Sequence, residues 1–193
     1  MRLAIVACFV ALLLAACATS PEKPEGQYDL SAREHLYKVT NWSFDGRMAL
    51  TGKKDSWSAN IAWKHSPESD QIKLSGPLGQ GATLIELSGS HVVVNRGGGD
   101  VQQSGNPEVF VSQQLGLFVP IQALRYWVVG LPQPDVKNIP VENGFSQMQW
   151  LVQYLQMQAV KDDAMPRKMS VGNGQVKLKL FIDEWILNSE NAR

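Results

Sequence analysis

Trp42-Ser43-Phe44-Asp45-Gly46-Arg47-Met48-Ala49-Leu50-Thr51 alternates large apolar side chains with polar ones. Trp42, Phe44, Met48 and Leu50 fall on one side; Ser43, Asp45, Arg47 and Thr51 fall on the other. A period of two belongs to a strand with one buried face. Gly52-Lys53-Lys54-Asp55 then makes a turn, and Trp57, Ala59, Ile61 and Trp63 repeat the pattern against Ser58, Asn60 and Lys64. The two runs predict a hairpin. Working outward, residues 71–75 place Ile72 and Leu74 on one side of the chain and Lys73 on the other. Residues 83–87 and 91–95 make a fourth and fifth strand, turned at Gly89-Ser90. Arg96-Gly97-Gly98-Gly99-Asp100 is another turn, with room for a short strand after it. Short consecutive strands with tight links predict an antiparallel meander.

One link stands out. Ser75-Gly76-Pro77-Leu78-Gly79-Gln80-Gly81 is built from turn residues around a single large apolar side chain. Glycine supplies backbone freedom and proline fixes φ, so this is a shaped turn. From the loop alone two readings stand: Leu78 folds back onto the sheet, or it is held out to touch a membrane or a lipid.

The middle of the chain changes character. Asn106-Pro107-Glu108 reads as a helix start, with a cap, a first-turn proline and an acid at the positive end of the dipole. Val109, Phe110, Val111, Gln114 and Leu115 follow, up to Gly116. Pro120 opens a second short helix with Ile121, Leu124, Trp127 and Val128, stopped by Gly130 and Pro132. Their apolar side chains would plug the open side of a curved sheet. A short amphipathic helix is also predicted within residues 28–39, capped by Asp29 or Ser31. Beyond a connector containing Pro132, Pro134 and Pro140, alternation predicts a strand over 147–154 with Met148, Trp150, Val152 and Tyr154 on one side. The phase slips at Leu155, implying a turn or bulge. Residues 168–171 and 175–182 read as a terminal hairpin about Gly172-Asn173-Gly174.

The first residues bear on compartment. Met1-Arg2 is a positive start, residues 3–14 are apolar, and Leu14-Ala15-Ala16-Cys17 follows. The apolar run is too short for a ~20-residue membrane span. This is the pattern of a secretory signal peptide, residues 1–16. Residues 17–26 carry Pro21, Lys23, Pro24 and Glu25 and read as a tether. Residues 27–193 are enough for a single domain with its own core. Of the 2 cysteines, Cys8 would leave with the signal peptide, so no disulfide or thiolate site is expected. Lys+Arg and Asp+Glu are both 18, which gives no nucleic-acid footprint.

Catalytic and cofactor motifs are missing. His35, His65 and His91 sit in different predicted elements, with no zinc-ligand spacing and no HExxH. There is no GxSxG and no P-loop. Gly76, Gly79 and Gly81 are not a dinucleotide fingerprint. The expectation is a protein that is not an enzyme and needs no cofactor. The bulky faces then carry the information: 6 tryptophans and 6 methionines supply flat and adaptable side chains. A plain filled barrel core is one use for them. A lipid cavity is the other, where burial gains ~0.8 kcal/mol per methylene.

Several segments, taken in order, resemble one family. Leu14-Ala15-Ala16-Cys17 resembles the bacterial lipobox, which implies cleavage before Cys17 and acylation of that residue. Ala18 in place of aspartate then implies sorting to the outer membrane. Gly46-Arg47, the strand from Trp57 to Trp63, the Gly76-Pro77-Leu78-Gly79 turn, Pro120-Ile121 with Leu124, Trp127 and Gly130-Leu131-Pro132, and the C-terminal segments Trp150-Leu151-Val152-Gln153-Tyr154, Met165-Pro166, Val176-Lys177-Leu178-Lys179-Leu180 and Trp185 resemble the LolB family. Residues 147–160 depart from its pattern through extra methionine and glutamine.

The resemblance implies an α+β, mostly β fold: an open, incomplete antiparallel β-barrel with short helices covering an apolar cavity. It implies a monomeric receptor, anchored by Cys17 on the periplasmic side of the outer membrane. That receptor takes lipoprotein cargo from the periplasmic carrier LolA, holds its acyl chains and inserts it among outer-membrane phospholipids without a nucleotide. The expected cavity residues are Phe44, Met48, Leu50, Trp57, Ile61, Trp63, Ile72, Leu74, Leu124, Trp127, Met148 and Trp150. Pro77, Leu78 and Gly79 are the expected insertion loop, with Leu78 protruding. Two rivals remain: a lipid carrier of similar fold, and a structural cell-envelope lipoprotein with a filled core. Cavity volume separates the last from the others.

Overall fold

The computed structural model describes residues 27–53, 56–76, 81–116 and 118–188. The signal peptide, Cys17, the tether and the Pro77-Leu78-Gly79 turn lie outside these residues.

Among the described residues, eleven strands form one antiparallel sheet. They are β1 (Asn41–Thr51), β2 (Ser56–His65), β3 (Asp70–Ser75), β4 (Thr83–Ser88), β5 (His91–Asn95), β6 (Val101–Ser104), β7 (Asn138–Val141), β8 (Gly144–Gln147), β9 (Trp150–Val160), β10 (Asp163–Gly172) and β11 (Lys177–Asn188). The order across the sheet is β6-β5-β4-β3-β2-β1-β11-β10-β9-β8-β7. The first and last strands of the meander therefore meet in the middle, and β6 and β7 are left as two free edges. The expected open, mostly β architecture is what the chain forms. Helices α1 (Pro107–Leu115) and α2 (Ile121–Trp127) lie between β6 and β7 in the chain.

Alternation sets the inner face. In β1 the even positions 42 to 50 are all buried and the odd ones are not. Gly46 keeps this phase although it has no side chain, because β11 bulges beside it. Asp45 pairs with Glu184 but Gly46 with Ile182, so Asp183 is the extra residue. A Cβ on Gly46 would overlap the Phe181 carbonyl oxygen and meet the Ile182 Cα at 3.0 Å. The displaced Asp183 pairs with Arg47 at 2.9 Å on the outer face.

Three expectations need correction. The first helix is a 3₁₀ helix, Ser31–Lys38, preceded by Asp29, whose carboxylate accepts from the Ser31 amide at 2.9 Å. The proline-bearing connector contains two short strands, β7 and β8. Pro140 is tolerated there because β7 is an edge with no partner on one side. The third concerns Met148. The strand expected over 147–154 breaks at Met148 and Gln149, which form the turn between β8 and β9 with φ of 50° and 66°. Met148 is 42% exposed, and the buried residue of this turn is Gln147. The slip at Leu155 is a bulge and not a turn: Tyr154 pairs with Met169 and Gln156 with Lys168, leaving Leu155 without a partner in the register.

Candidate functional site

The helices meet the sheet over its inner face. Asn106 caps α1 by accepting from the Val109 amide at 3.3 Å, and Gly116 ends it at φ 70°. Helix α2 has no cap of its own, since Pro120 offers no side-chain acceptor. Glu108 of α1 takes that place: its carboxylate accepts from the Ile121 amide at 3.2 Å and the Gln122 amide at 2.9 Å. The two helices are thus joined end to end by charge-assisted bonds at the positive end of α2. Burial raises the Glu108 pKa above the ordinary glutamate value, and the two amide bonds pull it back in part.

The other end of α2 is fastened to the body. Arg125 pairs with Asp70 at 2.5 Å. Asp70 is 1% exposed and also accepts from Trp63 Nε1 at 2.9 Å, with His65 Nδ1 at 2.7 Å. Trp127 donates to Gln147 at 2.8 Å, and the Tyr154 hydroxyl donates to the Trp127 carbonyl at 2.7 Å. Arg33 of the 3₁₀ helix is buried against the chain leaving α2. It donates to the carbonyls of Val129 at 2.6 Å, Gly130 at 3.2 Å and Ala164 at 2.5 Å. Carbonyls at the end of a helix carry partial negative charge, so they receive a cation without a carboxylate. Burial lowers the Arg33 pKa, and it raises the hydroxyl pKa of both Tyr28 and Tyr154. These polar ties gather at the C-terminal half of α2.

Between the N-terminal half of α2, helix α1 and the sheet lies an apolar void of about 30 Å³. Six expected residues line it: Met48, Ile61, Trp63, Ile72, Leu74 and Leu124. Ile85, Val111, Val119, Ile121 and Leu178 complete the wall and were not among the expected cavity residues. Ile85 and Leu178 hold inward positions of strands that sequence alternation places, so the signal for them was present. A second, open hollow of about 420 Å³ lies at the rim, at the base of the link between β3 and β4. Trp57 and Arg96 border it. Leu74 and Ile85 line both spaces, so the interior void and the rim hollow abut.

The remaining expected residues sit elsewhere. Phe44 belongs to an aromatic cluster with Trp42, Trp63 and Trp185, at centroid distances of 5.0–6.1 Å. Trp127 and Trp150 pack against each other at 6.2 Å. Leu50 is fully buried and does not line the void, and Trp57 is half-buried at the rim. Met148 faces solvent and lines neither space. No group of three or more metal-binding side chains occurs among the described residues.

An open antiparallel sheet, with a helical pair laid over an apolar inner face and a hollow at its rim, defines an incomplete half-barrel. Residues 40–185 match the family described as outer membrane lipoprotein LolB. The outer-membrane lipoprotein LolB of Alkalilimnicola ehrlichii is 32% identical over 193 residues, covering 95% of this chain and 96% of that protein. That of Chromohalobacter salexigens is 34% identical over 188 residues, covering 92% and 87%. Among solved structures, a LolA superfamily protein from Nitrosomonas europaea aligns with a TM-score of 0.48 at 7% identity, over 82% of this chain and 94% of that one. The chain belongs to the LolB family of outer-membrane lipoproteins.

Proposed function

We propose that the chain accepts lipoproteins from the periplasmic carrier LolA, holds their acyl chains between helices and sheet, and inserts them into the outer membrane. The observation that carries this reading is the apolar void that abuts the rim hollow across Leu74 and Ile85. In the closed arrangement the void has room for about one water-sized group. An acyl chain therefore enters only when the helices lift. The polar ties favour one way of lifting: α1 and the start of α2 move together through Glu108, while the end of α2 stays pinned by Arg33, Arg125 and Trp127. Four buried methionines on the inner side, Met48, Met157, Met165 and Met169, can reshape around a guest. Each methylene taken up gains ~0.8 kcal/mol, so transfer can run downhill without a nucleotide. Cys17 is the proposed anchor.

The small volume favours a second reading, a structural lipoprotein with a filled core. One experiment separates the two. The chain from Ala18, which keeps every strand, is mixed with a carrier–lipoprotein complex and the cargo is followed by pull-down. Movement of cargo onto the chain supports the receptor. Cargo that stays with the carrier supports the filled core.

A further inference from the structure

The outer face holds a groove that the acyl-chain reading does not use. It has a volume of about 570 Å³ and lies at the rim where β1, β9, β10 and β11 end. The strand register explains it. Leu151, Gly172, Lys177 and Thr51 stand in one row across the four strands. Gln153, Ser170 and Lys179 stand in the next. The middle of each row is small, because Gly172 has no side chain and Ser170 has a short one. The depression is thus built into the register.

Its chemistry is one-sided. Lys53 and Lys177 border it, with the amides of Gln149 and Gln153 and the Ser170 hydroxyl, and among the described residues no acidic side chain lines it. The chain as a whole has equal numbers of acids and bases, so this imbalance is local. Apolar groups flank the cations: Leu151 is 40% exposed, and Met148, next to Gln149, is 42% exposed. Met148 also adopts φ 50°, a conformation uncommon for a bulky residue and costly to hold in water. Cations beside projecting apolar side chains match the layering of a membrane surface, phosphate above acyl chain. The rim is the one that carries the β3–β4 link, since Ser75 pairs with Asn60, and Asn60 with Arg47, toward the Thr51 end of β1.

We propose that this groove binds the phosphate-bearing headgroup of a membrane phospholipid, with Lys53 and Lys177 on the phosphate and Met148 and Leu151 entering the interface beside it. The proposal rests on the reading that this rim faces the bilayer, and gives that rim a second contact on the outer face. The test is co-sedimentation of the chain from Ala18 with phosphatidylglycerol vesicles and with vesicles of a phosphate-free galactolipid. Binding is expected to the first and to be at least tenfold weaker to the second. Lys53→Gln with Lys177→Gln lowers vesicle binding about five-fold per lysine with an unchanged melting temperature. Met148→Gln lowers it several-fold without changing salt dependence. Equal binding of the double variant and the parent overturns the site. So does displacement by millimolar inorganic phosphate with no difference between the two vesicle types, which marks a free-phosphate site. The vesicle assay contains no cargo. Lysine-dependent binding by a chain that fails to take cargo from the carrier therefore sinks the receptor reading and leaves this site standing.

Discussion

The guanidinium of Arg33 fills the space that a Cβ on Gly130 would need. An added Cβ would lie 2.6 Å from Nη2 and 2.7 Å from Cζ, and closer still to Nε. Gly130 also holds φ 89°, which suits only glycine. Its carbonyl accepts from both Arg33 and the Tyr28 hydroxyl. One residue thus closes the turn after α2, makes room for a buried cation and binds it. Gly130→Ala is expected to lower unfolding stability by about 3 kcal/mol, from backbone strain and a displaced buried cation. Arg33→Met is expected to cost about 2 kcal/mol, since it leaves buried carbonyls without donors. Denaturant melts check both; midpoints should fall while slopes stay constant.

Gly46 poses the same question at the centre of the sheet. Its missing side chain lets the Phe181 carbonyl approach, and the Asp183 bulge depends on that approach. Gly46→Ala is expected to cost about 2 kcal/mol or more, because backbone of the adjacent strand must shift. Loss of the Arg47–Asp183 pair should accompany it, visible as a changed Asp183 carboxyl signal by NMR. An unperturbed melt would contradict the argument.

These two glycines mark how far the sequence could be read. The alternation in β1 and β2 revealed the hairpin and its buried face, because side-chain period is a local property. Asn106, Pro107 and Gly116 marked α1 for the same reason. Nothing local revealed that Gly46 faces a bulge at Asp183, far along the chain, or that Arg33 ends against the chain leaving α2. The misreading at Met148 has a physical cause. Met and Gln at positive φ give no turn signal, since Gly and Asn normally fill such turns. Gln147 looked like a solvent-facing residue and is instead buried, bonded to Trp127 and to the backbone of Gln133 and Val136. The void was legible by half: its strand residues follow the alternation, whereas Val111 and Ile121 come from the helices and Val119 from the link between them, whose seating is long-range.

The link between α1 and α2 should respond to pH. Burial raises the Glu108 pKa above its ordinary 4.5. A carboxyl raised on folding contributes stability that is present below 4.5 and lost as pH rises through the raised value. Glu108→Gln removes that titration and keeps an oxygen acceptor for α2. The stability of the parent relative to Glu108→Gln is therefore expected to fall as pH climbs from 4 toward neutrality. Parallel urea melts at several pH values measure it; a rising difference would contradict the burial argument.

The void offers a direct test of helix lifting. Val111 is fully buried in its wall. Val111→Ile adds one methylene to a space that has room for it. Stability should rise by about 0.5–1 kcal/mol. Because the added contact exists only when the helices are closed, uptake of a fluorescent fatty acid should slow several-fold. Higher stability with unchanged uptake would show that guests enter without separating α1 from the sheet.

Leu78 is tested last, because it divides receipt from delivery. The void, the helical pins and the inner strand faces involve other residues, so replacing Leu78 leaves them in place. By residue type, Pro77 and the flanking glycines predict a shaped turn, and the proposed function has it present one apolar group to a bilayer. Leu78→Glu puts a charge where that group would enter hydrocarbon, at a cost that opposes membrane contact. Folding and cargo uptake from the carrier are expected to remain near the parent's, while transfer of cargo into outer-membrane vesicles stops. Two assays on one sample decide it: cargo held by the chain after mixing with the carrier complex, and cargo recovered in vesicles afterwards. Equal loss in both would place Leu78 in the binding machinery and return it to the inward-folded reading.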